Sequence, residues 1–190
     1  MSLLRKSIEE APIIKKGDYN YVIHPITDGV PEIKPDLLSE VVTAMEKHLA
    51  KEQPFDRIVT IEAMGIPLAT LLSVKIDTPF TIIRKREYGL PGEISVQQTT
   101  GYSKSTLFIN GIKKGEKVVI VDDVLSTGGT LKAVLSSLKK MGVIVKAVVI
   151  AINKGETMEE IQKTFNVPVT AIADITVVDG RVHIKSCETG

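Results

Sequence analysis

Asp122 and Asp123 stand side by side after the apolar run Val118-Val119-Ile120-Val121, and three residues further on comes Thr127-Gly128-Gly129-Thr130. Neighbouring carboxylates repel phosphate. They suit sugar hydroxyls, or a magnesium ion lying between sugar and phosphate. Gly128 and Gly129 let the backbone turn freely and approach a ligand closely. Amides in such a turn, beside a helix start near Thr130, make a nest with partial positive charge that favours an anion. The segment therefore has a hydroxyl or metal end and an anion end next to each other. A sugar that carries phosphates satisfies both.

The elements around this segment must place it at an edge. An apolar run with both faces hydrophobic reads as a buried parallel strand, here Lys117–Val121. Other strands are expected at Arg57–Ile61, Pro79–Arg84, Val143–Ile152 and Val167–Ala173. Helices are expected at Gly65–Val74, with Pro67 in its first turn, at Gly129–Met141, ended by Gly142, and at Thr157–Phe165. Asp36 reads as the cap of a further helix to about Leu49, with Leu37, Leu38, Val41, Val42, Met45 and Leu49 inward. Val177–Val178, Asp179-Gly180 and Arg181–Ile184 read as a closing hairpin, because Asp-Gly favours a tight type I′ turn. The stretch before about Pro35 is irregular apart from a short helix over Leu3–Glu10 and a turn at Lys15–Asp18. Alternating strands and helices predict an α/β fold: an open, mostly parallel sheet flanked by helices. Ligands in such sheets bind beyond the carboxyl ends of the strands. Four polar loops fall there: Glu62–Gly65, Arg84-Lys85-Arg86, Asp122-Asp123 and Asn153-Lys154-Gly155.

Strand, acidic pair and Thr-Gly-Gly-Thr together resemble the ribose-5-phosphate loop of the type I phosphoribosyltransferases. The resemblance implies that Asp122 and Asp123 contact the ribose hydroxyls of phosphoribosyl pyrophosphate (PRPP), directly or through magnesium. Ser126, Thr127, Gly128, Gly129 and Thr130 then hold its 5-phosphate. Ala63, Met64 and Gly65 match the family's pyrophosphate loop, which often contains a cis peptide. The adenine branch has an arginine where this chain has Met64; the xanthine branch carries Glu-Ala-x-Gly-Ile, as here. Residues 84–104 are too polar for core, and a connection of that length is functional or disordered. They resemble the family's closing loop through Arg84-Lys85, Leu90-Pro91-Gly92 and Tyr102-Ser103-Lys104. By that resemblance Arg84 and Lys85 meet pyrophosphate, while Gly89, Gly92 and Gly101 act as flexing points.

Lys154 matches a lysine that relatives acting on 6-oxopurines place against the base's O6, and an ammonium suits a carbonyl acceptor rather than adenine's amino group. Hypoxanthine–guanine enzymes of the eukaryotic type have aspartate at the position of Ser126. The adenine branch has glutamate at that of Gly101. Neither scheme identifies the group that handles the purine proton here. Taken along the chain, including Asp28-Gly29-Val30-Pro31 and Thr99-Thr100-Gly101-Tyr102, the pattern resembles the archaeal hypoxanthine/guanine phosphoribosyltransferases most. That implies one phosphoribosyltransferase domain over 1–190, with about 1–35 forming a cap over the base, magnesium as cofactor, PRPP and a purine as partners, and a homodimer. Adenine or xanthine as the base, or a PRPP-sensing regulator, are the alternatives. Against the regulator, only about 35 residues precede the regular part, and they read as the cap rather than a winged helix.

Composition is consistent with this. A chain of 190 residues with 43% hydrophobic content can build a real core. A net charge of +1 implies no general affinity for nucleic acid or membrane. Cys187, the single cysteine, cannot form an internal disulfide, which fits a reducing cytoplasm. No apolar run is long enough to span a bilayer. His24, His48 and His183 are scattered and carry no catalytic or metal assignment, and the P-loop and dinucleotide glycine patterns are absent.

Overall fold

A computed structural model describes residues 2–17, 19–99 and 104–189. In chain order the elements are α1 (Leu3–Glu9), β1 (Ile13–Lys16), β2 (Tyr19–Val22), α2 (Pro25–Asp28) and α3 (Pro35–Leu49), followed by a 3-10 turn at Ala50–Glu52. Next come β3 (Arg57–Ile61), α4 (Gly65–Ile76), β4 (Phe80–Ile83), β5 (Ile94–Thr99), β6 (Lys104–Ile109) and β7 (Lys117–Leu125). The chain closes with α5 (Gly129–Lys140), β8 (Ile144–Asn153), α6 (Met158–Phe165), β9 (Val169–Val178) and β10 (Arg181–Cys187).

The central sheet has the order β10-β9-β8-β7-β3-β4, parallel throughout except for the antiparallel edge pair β9–β10. Its inner strands are apolar on both sides because helices cover both faces; Val118, Val119, Ile120 and Val121 are fully buried. One face carries α1, α3 and α4, packed through Leu4, Val41, Met45 and Leu72. The other carries α5, α6 and the β5–β6 hairpin, packed through Leu107, Ile109, Val134, Leu138 and Ile161. This is the open, mostly parallel α/β sheet expected from the sequence, and the Asp179-Gly180 hairpin closes it as anticipated. Among the described residues no helix is long and apolar enough to cross a membrane.

Three expectations need correcting. Asp36 does not cap α3: Lys34 occupies the cap position without a side-chain bond, and Pro35 opens the helix. Proline fits there because its missing N–H is one that would lack a helical partner anyway. Asp36 sits one residue later, where its carboxylate accepts from the Leu37 amide at 2.8 Å and favours the helix dipole. Second, residues 84–104 are not one irregular loop. Ile94–Thr99 pairs antiparallel with Lys104–Ile109, and Val96 is buried against the core. The apolar face of that strand is completed by Leu107 and Ile109 on its partner, so one strand alone shows too little alternation to announce itself. Third, the stretch before Pro35 is more regular than expected, with the β1–β2 hairpin and α2; Gly17 lies in the hairpin turn at φ 61°, and Asp18 lies outside the described residues.

Candidate functional site

β7 runs on through the acidic pair to Leu125, because its register with β8 continues as Asp122↔Ile150, Val124↔Ile152 and Leu125↔Asn153. Asp122 and Asp123 are therefore fixed on the strand rather than in the loop after it. Asp122 Oδ1 accepts from the Asp123 amide at 3.1 Å, and Asp123 is 8% exposed. Burial, and then the charge of Asp123, raises the Asp122 carboxyl well above its ordinary range. Burial likewise raises Asp123, with the Lys154 ammonium among the groups opposing it. Carboxyls raised in this way are returned towards their ordinary range when donors or a cation arrive.

The chain turns sharply at Ser126–Gly128, and α5 begins at Gly129 with no side chain capping it. Like those of any helix start, its first amides lack partners within the helix. Gly128 has φ +75°, and a Cβ there would lie 2.7 Å from Thr157 Oγ1 and 2.9 Å from Ile161 Cδ1. The turn is consequently packed down on α6 and cannot splay. Asp122, Asp123, Ser126, Gly128 and Thr130 line one cavity of about 200 Å³ together with Lys85 and Glu62. Thr127 is exposed at the tip of the turn.

Ala63, Met64 and Gly65 form the passage from β3 to α4, and the Glu62–Ala63 peptide is cis. Gly65 backs directly onto the acidic pair: a Cβ on it would lie 2.7 Å from Asp122 Oδ1. Glu62 organises the basic segment. Its Oε2 accepts from Arg84 Nε and from the Lys85 amide, both at 2.9 Å. Arg84 is further anchored by backbone bonds with Phe108 on β6 and lies 5.9 Å from the centre of the Tyr88 ring. Lys85 reaches the cavity, whereas Arg84 lies beside it against Glu62. Gly89 and Gly92 have positive φ, and Glu93 holds this segment by accepting from the Tyr88 and Gly89 amides and from Asn110 Nδ2. Tyr102 and Gly101 lie outside the described residues.

Lys154 follows β8 and points under the N-terminal segment. Its Nζ donates to the Val22 carbonyl at 3.0 Å and to Thr27 Oγ1 at 3.4 Å, and sits 5.7 Å from the centre of the Tyr21 ring. Burial lowers its pKa, while Asp28 and Asp123 hold it up. Asp28 is itself fixed by bonds from the His24 amide, Thr27 Oγ1 and Tyr21 Oη. Lys154 thus lies close enough to Asp123 for their charges to interact, yet outside the lining of the cavity.

Sequence reasoning did not single out Gln98. It is 8% exposed, and its Oε1 accepts from Thr130 Oγ1 at 2.6 Å while its amide nitrogen donates to Ser105 Oγ. Gln98 thus ties the β5–β6 hairpin to the start of α5. The available signal was the period of two, since Val96 and Gln98 share the inward face of β5.

An acidic pair, an amide-rich helix start and a lysine facing one cavity at the carboxyl rim of a parallel sheet define a protein built to hold a phosphorylated sugar. Comparison with known proteins agrees. A family model described as the phosphoribosyl transferase domain matches residues 32–180, and the chain belongs to that family. It is 52% identical over 182 residues to a hypoxanthine/guanine phosphoribosyltransferase of Methanocaldococcus infernus, covering 96% of this chain and 99% of the relative. It is 46% identical over 185 residues to the protein of that name from Methanothermus fervidus, covering 97% of each. Among solved structures, an adenine phosphoribosyltransferase from Thermoanaerobacter pseudethanolicus superposes with a TM-score of 0.72 at 23% identity, over 90% of this chain and 99% of that one. The Trypanosoma brucei adenine enzyme, in complex with AMP, pyrophosphate and ribose-5-phosphate, gives 0.72 at 21% identity, over 91% and 80%. At these identities the two structures speak to the fold alone.

Proposed function

We propose that this chain salvages purines by transferring the 5-phosphoribosyl group of PRPP to hypoxanthine or guanine, giving IMP or GMP and pyrophosphate. The observation that carries this is the convergence of Asp122, Asp123, Ser126, Gly128, Thr130 and Lys85 on one cavity. The base assignment draws on the names of the archaeal relatives and on Lys154, whose ammonium can donate to a 6-oxo group and not to adenine's amino group.

In this reading the amides of Gly128, Gly129 and Thr130, with the hydroxyls of Ser126, Thr127 and Thr130, hold the 5-phosphate. Asp122 and Asp123 accept bonds from the ribose hydroxyls. Their charge favours the cationic, oxocarbenium-like character that C1 gains as pyrophosphate leaves. Lys85, the amides of Ala63, Met64 and Gly65, and Arg84 steadied by Glu62 receive the leaving group. A purine nitrogen attacks from the opposite face, with the base held by Lys154 under the N-terminal cap. Positioning and electrostatics do most of the catalysis, so no strong nucleophilic side chain is required.

The donor set fits magnesium. Asp122 and Asp123 offer hard oxygens beside a site for phosphate, and among the described residues no group of three His, Cys, Asp or Glu could hold an ion alone. Magnesium is commonly held by one or two carboxylates and completes its shell with water and substrate phosphates. When bound with PRPP it supplies positive charge to the departing pyrophosphate.

The whole chain acts as one domain, with about 1–35 as the cap, in the cytoplasm and as a homodimer. The family resemblance supports the dimer, and sedimentation checks it. The deciding experiment offers hypoxanthine, guanine, xanthine and adenine in turn with magnesium and PRPP, following nucleoside monophosphate. Turnover of hypoxanthine and guanine is expected; strong turnover of adenine alone refutes the 6-oxopurine assignment.

A further inference from the structure

Asn153 ends β8 after a buried apolar run, Ala147–Ile152, and is itself 2% exposed. A carboxamide in such a place needs partners, because burying it without them costs free energy. Asn153 has them. Its Nδ2 donates to the Gly155 carbonyl at 2.8 Å and to Asp174 Oδ1 on β9 at 2.9 Å, and its Oδ1 accepts from the Gly155 amide at 3.2 Å. Turning the amide over would set N–H against N–H at Gly155 and oxygen against carboxylate at Asp174, so the partners fix its orientation.

The residue enclosed by these bonds is Lys154. Its own amide donates to the Leu125 carbonyl at 2.8 Å, at the end of β7. Gly155 abuts the turn that follows β7: a Cβ on it would overlap the Ser126 carbonyl oxygen and lie 2.8 Å from the carbonyl carbon and 3.3 Å from Cα. The backbone of Lys154 is therefore held from three directions, by Leu125 directly, by Ser126 through Gly155, and by Asp174 through Asn153. Only the side-chain stem remains to be placed, and the Val22 carbonyl, Thr27 Oγ1 and the Tyr21 ring receive its end. Asp174 also lies 4.0 Å from Lys185 Nζ, a looser contact than the bond from Asn153.

We infer that Asn153 is a positioning residue for base recognition: by clasping Gly155 and Asp174 it fixes the root of Lys154 relative to the Ser126–Gly128 turn. The base and the 5-phosphate are then measured from one frame. Asn153 is buried and outside the cavity lining, so it acts through Lys154 and not by touching substrate. This assignment rests on the proposed contact between Lys154 and a 6-oxo group.

The test uses the full chain and reads KM for hypoxanthine, KM for PRPP, kcat and melting temperature. Lys154→Ala is measured first. Asn153→Asp keeps the size and the acceptor, removes both donors and sets one carboxylate against another. It is expected to raise KM for hypoxanthine roughly threefold to tenfold, about the worth of one hydrogen bond, with KM for PRPP little changed. Adding Asp174→Asn to Asn153→Asp restores a bond between the two positions in the reverse direction and recovers part of the affinity. Asp174→Ala removes one partner at the partly exposed end of the pair. It shows the same base-only loss in smaller degree, which keeps the test open should Asn153→Asp misfold. In a Lys154→Ala background Asn153→Asp adds nothing to KM for hypoxanthine, as a residue acting only through that lysine requires. Equal rises for hypoxanthine and PRPP, a loss confined to kcat, or a full further rise in the Lys154→Ala background overturns the inference. So does a double variant no better than Asn153→Asp alone. Lys154→Ala with an unchanged KM for hypoxanthine refutes the parent assignment of Lys154 instead, before any Asn153 variant is compared.

Discussion

His24→Asn should remove an acid-sensitive contribution to stability. His24 is 1% exposed; its Nδ1 accepts from the Ile26 amide at 3.2 Å, and Nε2 lies 2.9 Å from Ser7 Oγ. Since Nδ1 is an acceptor, the ring is neutral with its proton on Nε2. Protonating Nδ1 breaks the cap of α2 and buries a second cation near Lys154. Burial, then Lys154, lowers the pKa from 6.5 to about 4, against a smaller opposing pull from Asp28. Above pH 6.5 neither the folded nor the unfolded chain carries this proton, and the full stability is present. As pH falls from 6.5 towards 4 the unfolded chain takes up a proton that the folded chain refuses, and stability is lost. A gap of that size corresponds to roughly 3 kcal/mol at 1.36 kcal/mol per pKa unit.

Asp122 and Asp123 work in the opposite sense, because raised carboxyls gain folded-state stability on acidification. The wild-type curve alone is therefore not diagnostic. The difference between wild type and His24→Asn is: asparagine keeps an acceptor at the cap and does not titrate. Denaturant unfolding between pH 7 and 4.5 should show the wild type losing stability relative to the variant, by an amount approaching ~3 kcal/mol. Parallel curves across that window refute the reasoning.

Asp122→Asn with Asp123→Asn should cut turnover by orders of magnitude while the melting temperature at neutral pH does not fall, since two buried, mutually repelling charges are removed; retained activity removes the pair from the mechanism. Lys154→Ala should raise KM for hypoxanthine and guanine more than for PRPP, and should loosen the N-terminal segment, read as faster amide exchange at Val22 and Thr27; equal losses for base and PRPP argue against an O6 contact. Gly128→Ala places a Cβ against Thr157 and Ile161 at φ +75° and should cost roughly 1–3 kcal/mol on denaturant unfolding while weakening ribose 5-phosphate binding; a variant as stable as the parent shows that α6 yields easily.

The legible parts of this chain are those whose signal is local. β3 follows from five consecutive residues, and the closing hairpin from Asp179-Gly180 between two alternating runs. The acidic pair and the glycine turn were readable together because strand, acids and helix start are contiguous. What could not be read depends on partners distant in sequence. β7 extends over Asp122 and Asp123 because β8 continues beside it, although adjacent carboxylates look like the end of a strand. β5 needs β6 to complete its apolar face. Gln98 meets Thr130 across 32 positions, and Lys154 reaches the Val22 carbonyl across 132, separations at which no periodicity survives.

From β3 the chain steps outward to β4 and then returns to lay β7 on β3's other flank. The connections leaving the adjacent strands β3 and β7 consequently part company, one descending into α4 and the other into α5 on the far face of the sheet. Chain routing alone thus opens a crevice there, independent of any residue that later furnishes it. Its location is protected by the whole core, while its contents come from the short segments that follow the strands. A scaffold of this kind can change the base it accepts and keep its grip on the activated sugar.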